Sequence, residues 1–478
     1  MIRLQTRRQV LLASAAVGTA ALAGCAGEDD ENGGDDDGGG TDDENGADDE
    51  GETDDGVATG DGEETVPGYE IWALDQGTDT IYVYEPDEDG YDGDGPDDRF
   101  EPAEPIDLND VLDDEGPIVP HMIDFSSDYA YAAIACTGGA RTLLFRTDNG
   151  ELVDEVETGP RTHMATFSPD DTYVHVDVIG DPDEEYGWIS RLAFDTDDES
   201  IEEVDRIDLS EPEAIEEADV WPARPICHQY AADGRSVHTL GPGHGDGGLV
   251  IIDHEEFAVD RAYPQAQAPI NCGTMPHYAD ERFYLTAGRP SDPDEDEAGV
   301  GEYYVYDTED DEFVLEGESA DGIDTHGFWF TPDGSELWLL NRETNDGLIL
   351  DPDDDSVIDE IDSYGPATGD EPEDSDAPDI MWASPDGAYM FVTLRGPAPL
   401  SGDAHAATGV TPGFAVFDIE ARERVTVVEP DPIDDFDDEA IEAARDEDED
   451  APRIPDFHGI GVRPTTDFDT DIETSPPY

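Results

Sequence analysis

The chain contains no lysine, and all of its positive charge comes from arginine. Among 478 residues there are 21 basic residues against 127 acidic ones, which gives a formal net charge of −106. Binding to a nucleic-acid backbone needs clustered cations that displace counterions, and docking on anionic lipid needs a basic patch. The composition therefore excludes nucleic acid as a direct partner, and it excludes attachment to lipid headgroups through a basic surface.

The motifs of several common enzyme classes are also missing. The sequence has no glycine-rich phosphate loop, no serine nucleophile elbow and no zincin motif. Cysteine is scarce, with 4 residues at Cys25, Cys136, Cys227 and Cys272. Spacing alone does not establish a disulfide among the last three, although a bond between Cys227 and Cys272 is one alternative for an exported protein.

The acidic composition is typical of one environment. In dilute solution a charge of −106 favours disorder, because self-repulsion opposes collapse. In molar salt the Debye length is about 3 Å, so this repulsion is short-ranged. The composition resembles that of extremely halophilic archaea, and the resemblance implies a protein that folds in concentrated salt.

The N-terminal 25 residues predict an export signal. Arg7 and Arg8 precede an apolar stretch, 10–23, that is too short to span a bilayer as a helix. The segment 6–11 resembles a twin-arginine signal, and the segment 22–25 resembles a lipobox ending in Cys25. The resemblance implies cleavage before Cys25, lipidation of that residue, and a lipoprotein anchored on the outer face of the cell membrane.

Three further segments follow the signal. Residues 26–66 are almost wholly acidic residues, glycine and threonine, so we expect a disordered tether there. Residues 67–465 carry a repeating strand pattern, and 466–478 form a C-terminal tail. The folded part is expected to be a monomer.

The repeat is clearest from His326, where a strand, a Pro-Asp-Gly turn, two further strands and an outer fourth strand follow one another. Third strands of this kind occur seven times: 81–84, 142–145, 190–194, 249–252, 303–306, 348–350 and 413–417. The chain begins with a second strand at 70–74, and the missing first strand comes last, at 458–463. The pattern therefore predicts an all-β fold, a seven-bladed β-propeller closed by a C-terminal strand.

The repeat unit resembles the YVTN family of seven-bladed propellers, whose units contain a Phe-Ser-Pro-Asp-Gly segment followed by Tyr-Val and Val-x-Asp. Related propellers include the nitrous-oxide-reductase N-terminal-like and YncE-like groups. Outside the strands, Ser210 and Glu213 form a capping-box pattern that predicts a short helix over 211–219, and 437–445 predicts a second helix.

Histidines recur at one position of the first strands. The position lies seven residues before the turn aspartate. It holds His121, His163 and His326 in three blades, Asp379 in another blade, and His458 in the closing strand. Because first strands line the channel of a propeller, these five residues are expected at one level. The fourth blade has Ile226 there, and strict alternation puts His228 on the same face.

Converging imidazoles suit copper or zinc, so the six residues His121, His163, His228, His326, His458 and Asp379 are candidate metal ligands. The alternative is structural, with each histidine bonded to neighbouring backbone. The leading functional expectation is a non-catalytic surface scaffold that binds a small molecule or protein partner at a channel mouth, without a cofactor. Two alternatives stay open: a copper- or zinc-dependent oxidoreductase, and a lactonase-like hydrolase whose catalytic residues the sequence does not identify.

Overall fold

The computed structural model describes residues 68–86, 100, 105–113, 116–231, 233–241, 247–270, 272–292, 297–369, 372–430, 433, 436–445 and 451–465. The predicted signal segment 1–25 with Arg7, Arg8 and Cys25, the linker 26–66 and the tail 466–478 lie outside these residues. So does the acidic segment 87–98.

The described chain folds into seven four-stranded antiparallel sheets, which confirms the predicted propeller. Blade 1 contains β28 (Phe457–Pro464), β1 (Tyr69–Asp75), β2 (Thr80–Tyr84) and β3 (Ile106–Asp107). Blade 2 contains β4 (Pro120–Phe125), β5 (Tyr131–Cys136), β6 (Arg141–Arg146) and β7 (Glu151–Glu157). Blade 3 contains β8 (Thr162–Phe167), β9 (Tyr173–Val178), β10 (Trp188–Asp195) and β11 (Ser200–Asp208).

The remaining four blades repeat this order. Blade 4 contains β12 (Pro225–Tyr230), β13 (Arg235–Leu240), β14 (Gly248–Asp253) and β15 (Ala258–Pro264). Blade 5 contains β16 (Thr274–Pro276), β17 (Arg282–Thr286), β18 (Glu302–Asp307) and β19 (Glu312–Ser319). Blade 6 contains β20 (Thr325–Phe330), β21 (Leu337–Asn341), β22 (Asp346–Asp351) and β23 (Ser356–Ile361). Blade 7 contains β24 (Pro378–Ala383), β25 (Tyr389–Leu394), β26 (Gly413–Asp418) and β27 (Glu423–Val428).

The C-terminal strand closes the ring, as predicted. β28 pairs antiparallel with β1, so that Tyr69 faces Pro464 and Trp72 faces Gly461. The innermost strand of each blade contacts the innermost strands of both neighbours around the whole circle. Closure places the inner edge of each described sheet at the channel, between the innermost strands of its two neighbours, which protects these edges from edge-to-edge association.

The repeated turn explains why the blades form locally. In blade 6, the Thr331 hydroxyl donates to Asp333 at 2.8 Å and accepts from the backbone N–H of Glu336 at 3.1 Å. Ser384 and Asp386 make the corresponding contact in blade 7 at 2.5 Å. The side chains thus fix the turn between the first and second strands of a blade. The second and third strands are buried almost throughout, whereas fourth strands such as β7 and β23 are largely exposed.

Both predicted helices form, but one begins differently from the prediction. The described chain contains α1 (Leu108–Leu112), α2 (Glu213–Ala218) and α3 (Asp438–Arg445). The capping box at Ser210 is wrong, because α2 follows Pro212 without a side-chain cap. The Ser210 hydroxyl instead donates to Asp208 at 2.6 Å. None of the described helices is long and apolar enough to cross a bilayer.

Candidate metal centre in the central channel

One side chain from each blade lies at the same level of the central channel. We call this set the channel ring. Its members, from blade 1 to blade 7, are His458, His121, His163, Cys227, Cys272, His326 and Asp379. Six of them are buried, and His163 is partly exposed.

Five members of the channel ring carry nitrogen or oxygen donors and follow one another around it. We call them the nitrogen and oxygen side: His163, His121, His458, Asp379 and His326. His121 Nε2 lies 2.9 Å from His163 Nε2, and the rings of His121 and His458 stack with centroids 3.6 Å apart. Asp379 lies between the next two members, with Oδ2 at 3.6 Å from His458 Nε2 and Oδ1 at 2.9 Å from His326 Nε2. The donor atoms of His326, Asp379 and His458 all lie within 4.8 Å of one another.

Two cysteines complete the circle. Cys272 Sγ lies 3.3 Å from His326 Nε2 and 3.7 Å from Cys227 Sγ, which in turn lies 3.9 Å from His163 Nδ1. Both thiols are free. Cys136, the third described cysteine, is buried in blade 2 away from the ring. The structure therefore brings together the two sulfurs for which the sequence left a disulfide open, without a bond between them.

Five of the six predicted ligand positions lie in the channel ring, and His228 does not. Strict alternation placed Ile226 and His228 toward the channel. The register between β12 and β13 shifts between Pro225 and His228, which marks a β-bulge. The same one-residue shift occurs in β4, β8, β20 and β24, so it belongs to the repeat. In blade 4 the side chain that lies beside the neighbouring ring members is that of Cys227, and not that of Ile226 or His228.

His228 belongs to a separate buried network between blades 3 and 4. Asp177 accepts from His228 Nδ1 and from His238 Nδ1, each at 2.8 Å. His238 Nε2 lies 2.6 Å from the Ser236 hydroxyl, which lies 2.7 Å from His254 Nε2. Burial opposes ionisation of Asp177, but the two histidines outweigh it and hold the pKa of this carboxyl below its ordinary value. The network joins the two blades through polar contacts at buried positions.

Two ring histidines have their Nδ1 atoms engaged. His458 Nδ1 lies 3.0 Å from the backbone oxygen of His121, which only accepts, so Nδ1 carries the hydrogen. His121 Nδ1 donates to Gln76 Oε1 at 3.1 Å, since the Gln76 amide nitrogen donates to Asp456 at 2.7 Å. Burial is the main cause that lowers the pKa of both imidazoles well below its ordinary value, so both are neutral at pH 7. Nε2 is therefore the unprotonated nitrogen of each ring, and it faces His163 Nε2 in the case of His121 and Asp379 Oδ2 in the case of His458.

Asp379 is held ionised by its neighbours. Arg395 Nη1 donates to Asp379 Oδ2 at 2.6 Å, and Arg342 Nη1 lies 3.5 Å from Oδ1. Burial raises the pKa of Asp379, but His458, His326 and Arg395 outweigh it and hold that pKa well below the usual range. An anionic carboxylate between two imidazole nitrogens is a ready ligand for a cation.

His326 Nε2 faces two partners at once, Asp379 Oδ1 at 2.9 Å and Cys272 Sγ at 3.3 Å. A single hydrogen on Nε2 satisfies only one of them. Among the described residues, its Nδ1 has no hydrogen-bond partner although the atom is buried. Burial opposes protonation, yet Cys272 and Asp379 raise the pKa of His326 to about 9. The arrangement thus calls for positive charge at this point of the ring.

The separations between donors suit a first-row transition ion. Bonds of about 2.0–2.3 Å to nitrogen, oxygen and sulfur give tetrahedral donor–donor separations of about 3.3–3.8 Å. Neighbouring donors from His458 through Asp379, His326 and Cys272 to Cys227 lie 2.9–3.7 Å apart. Imidazole, carboxylate and thiolate are together the ligand types of zinc and copper, whereas magnesium and calcium prefer all-oxygen sites.

Two residues of the segment that joins β25 to β26, Arg395 and His405, have structural roles. Arg395 is fully buried and pairs with Asp379 and Asp456. His405 lies 3.0 Å from the Ser291 hydroxyl and is partly exposed. In the acidic turn 351–355, Asp355 pairs with Arg282 at 3.0 Å. The guanidinium group thus balances the charge of this carboxylate without a metal ion.

Comparison with known proteins identifies the fold only. No protein-family model matches the chain, and no curated protein sequence matches it. Among solved structures, the chain is similar to the periplasmic gluconolactonase of Pseudomonas aeruginosa, with TM-score 0.50 and 14% identity over 76% of this chain and 95% of that one. It is also similar to the hydrazine synthase of Kuenenia stuttgartiensis, with TM-score 0.48 and 12% identity over 76% and 95% of the two chains. At these identities the likeness shows a β-propeller and nothing finer.

Proposed function

We propose that the protein is a lipid-anchored surface propeller whose channel binds a copper or zinc ion. The observation that carries this proposal is the convergence of His326 Nε2, the Asp379 carboxylate and His458 Nε2 within 4.8 Å of one another. Two imidazoles and one carboxylate, held by the rigid inner strands of three consecutive blades, form a metal-ligand set with further positions open to the channel.

The buried charge around the ring also favours a cation. Three enclosed carboxylates, Asp324, Asp379 and Asp456, face two enclosed guanidinium groups, Arg342 and Arg395. The count leaves one negative charge in excess, which the imidazolium of His326 balances while no ion is bound. An ion that binds His326 Nε2 displaces this proton and takes over the balancing charge, and because it binds only the folded ring it is expected to stabilise the folded protein.

The test is metal analysis of mature protein purified in molar salt after growth with copper and zinc. We expect close to one ion per chain in the wild type. His326→Ala and His458→Ala should each lose the ion, because each removes one of three converging ligands. His405→Ala is the matched control, since it removes a partly exposed histidine outside the ring. A wild type without copper or zinc, even after reconstitution with either ion, would overturn the proposal.

The surface location rests on the N-terminal motifs. The twin-arginine-like and lipobox-like segments place Arg7, Arg8 and Cys25 at the spacing of an exported lipoprotein, and the acidic composition supports a halophilic source. Cys25→Ala should release the protein into the medium, and replacing Arg7 and Arg8 together by lysine should block export. If the Cys25 variant stays with the membrane fraction, the anchor is assigned wrongly.

Binding is the primary proposal, and catalysis is secondary. A copper ion in the channel ring would bring one-electron chemistry with it, which is the observation that keeps the oxidoreductase alternative open. The lactonase-like alternative draws only on the fold, and one propeller fold hosts many unrelated functions. Membership of the YVTN family belongs with these finer proposals, and the repeated turn residues support it.

A further inference from the structure

The two halves of the channel ring differ in chemistry. Cys227 and Cys272 belong to an apolar cluster with Met164, Ile179 and Ile226, and Met122 packs against it. We call this cluster the sulfur side. It gathers four of the ten cysteine and methionine residues of the chain at one side of one channel. Sulfur donors in apolar surroundings select soft ions, copper(I) above all.

The sulfur geometry fits coordination and not a covalent bond. A disulfide needs about 2.0 Å between the sulfurs, whereas Cys227 Sγ and Cys272 Sγ lie 3.7 Å apart. Two sulfurs bound at about 2.3 Å to one ion that has a third or fourth ligand lie about 3.8–4.0 Å apart, close to the separation of these two atoms. His163 Nδ1 lies 3.9 Å from Cys227 Sγ, which adds a nitrogen beside the sulfur pair.

The backbone keeps the two strands that carry the thiols together. The Thr239 hydroxyl donates to the backbone oxygen of Cys272 at 3.0 Å and lies 3.3 Å from the backbone oxygen of Cys227. One fully buried side chain thus ties both cysteine backbones to the second strand of blade 4. Donors fixed in this way lose little conformational freedom when an ion binds.

We propose that the sulfur side is a copper(I) subsite in which the thiolates of Cys227 and Cys272 are the ligands. This inference rests on the proposed function, which places a metal ion in the channel, and it adds a second subsite with its own ion. Binding releases the proton of each thiol that is still protonated, and the oxidation state of copper does not change. Two thiolates and copper(I) together add one negative charge to the channel.

The added charge links the two subsites. The enclosed carboxylates exceed the guanidinium groups by one, and His326 balances that charge only until zinc takes its Nε2, so the copper(I) thiolates then bring the excess to two. A divalent ion at His326, Asp379 and His458 brings the count to zero. Copper(I) on the sulfur side should therefore raise the affinity for zinc on the nitrogen and oxygen side, and the coupling must be reciprocal.

The first measurement needs no variant. Full-length protein in molar salt, reduced and then loaded with one equivalent of copper(I) without oxygen, is examined by X-ray absorption at the copper edge. We expect sulfur neighbours at about 2.3 Å. A first shell of nitrogen and oxygen alone would overturn the sulfur subsite. The free thiols of protein isolated without reductant are also counted. A disulfide between Cys227 and Cys272 in that protein would likewise overturn the sulfur subsite.

Competition with a copper(I) chelator tests the ligands one at a time. Cys227→Ser and Cys272→Ser should each weaken copper(I) binding by at least about 100-fold, as loss of a metal ligand requires. Cys136→Ser is the matched control, because it removes a buried thiol outside the ring, and it should bind as the wild type does. Unchanged affinity in both ring variants would refute the assignment.

One variant separates the two proposals. His458→Ala should lose zinc but keep copper(I), since His458 lies on the other side of the ring. If this variant and the wild type both bind copper(I) through sulfur while neither binds zinc, only the proposed nitrogen and oxygen site is refuted. If the wild type binds zinc but its copper(I) has no sulfur neighbours, only the sulfur subsite is refuted.

Discussion

Replacing Asp456 by asparagine should destabilise the closure of the propeller more than any change at the surface. Asp456 is fully buried immediately before β28, and its carboxylate accepts five hydrogen bonds. Two come from Arg395 at 2.8 and 2.9 Å, one from Gln76 at 2.7 Å, and two from the backbone N–H groups of Leu400 and Gly396 at 2.8 and 3.1 Å. The residue thus joins blade 7, blade 1 and the closing strand.

The magnitude follows from the charge and the donors left behind. The side-chain amide introduced by Asp456→Asn would present an N–H₂ group to donors at one of the two oxygen positions. Arg395 would also lose one of the two carboxylates with which it pairs. Removing one partner of a buried ion pair costs about 3–5 kcal/mol. With an unfolding entropy of about 2.1 cal/mol/K per residue over about 400 residues, this lowers the melting temperature by about 4–6 °C.

The assay is thermal and urea unfolding in molar salt, followed by circular dichroism. Asp253→Asn is the matched control, because Asp253 lies at an exposed turn where its Oδ1 accepts two backbone hydrogen bonds that an amide oxygen still accepts. That control should change stability by less than about 0.5 kcal/mol. If Asp456→Asn is as stable as the control, the buried carboxylate does not hold the closure and the argument fails.

Four other outcomes are expected. Burial raises the pKa of Asp75 from 3.8 to about 7, so the folded state holds this proton more tightly than the unfolded chain does. The stability of the wild type therefore falls as pH rises between those values, and Asp75→Asn should lack this fall. Parallel pH profiles of stability for the two proteins would contradict the prediction. Ser236→Ala leaves one buried imidazole nitrogen, in His238, and one partly buried one, in His254, without this partner and should cost about 1–3 kcal/mol in urea unfolding. An unchanged midpoint would show that the network is dispensable. Deleting 457–478 should abolish cooperative unfolding, and deletion of 466–478 alone, which keeps β28, serves as its control. Below about 0.1 M salt, where the Debye length reaches about 10 Å, the β-sheet circular dichroism should be lost, and full structure in dilute buffer would refute the halophilic assignment.

The fold was predictable because it is specified locally and repeatedly. Blades 2, 3, 6 and 7 repeat one turn, in which a Ser or Thr hydroxyl bonds to an Asp two residues later, as Thr331 and Asp333 do in blade 6. Seven third strands and one displaced first strand then leave a closed ring as the arrangement in which every blade has four strands. Strand alternation and turn chemistry act over a few residues, which is the range that a sequence pattern reports.

The candidate site was only partly predictable, because two of its determinants are not local. Cys227, two residues after Pro225, reaches the channel in blade 4, whereas in blade 7, with the same register shift, Asp379 directly after Pro378 does so, and the sequence pattern does not distinguish the two cases. The ring is supported by an ion pair between Arg395 and Asp456, which lie 61 positions apart in the sequence. Position counting found the histidines, since they share one register, and the sequence brought Cys227 and Cys272 together only as an alternative disulfide, whereas the structure has two free thiols. The buried ion pairs that fix Asp379 were not predicted.

Closure and metal binding are coupled through the C-terminal strand. β28 carries His458, whose Nδ1 bonds to the backbone of His121 in the next blade and whose Nε2 faces Asp379 in the preceding one. The three-ligand site therefore exists only when the ring is closed. An ion that binds the closed ring and not the open chain stabilises closure by about 2.7 kcal/mol at a free concentration about one hundred times its dissociation constant. Each blade supplies one donor to the ring, so an ion in the channel contacts several blades at the place where the chain has to meet its own beginning.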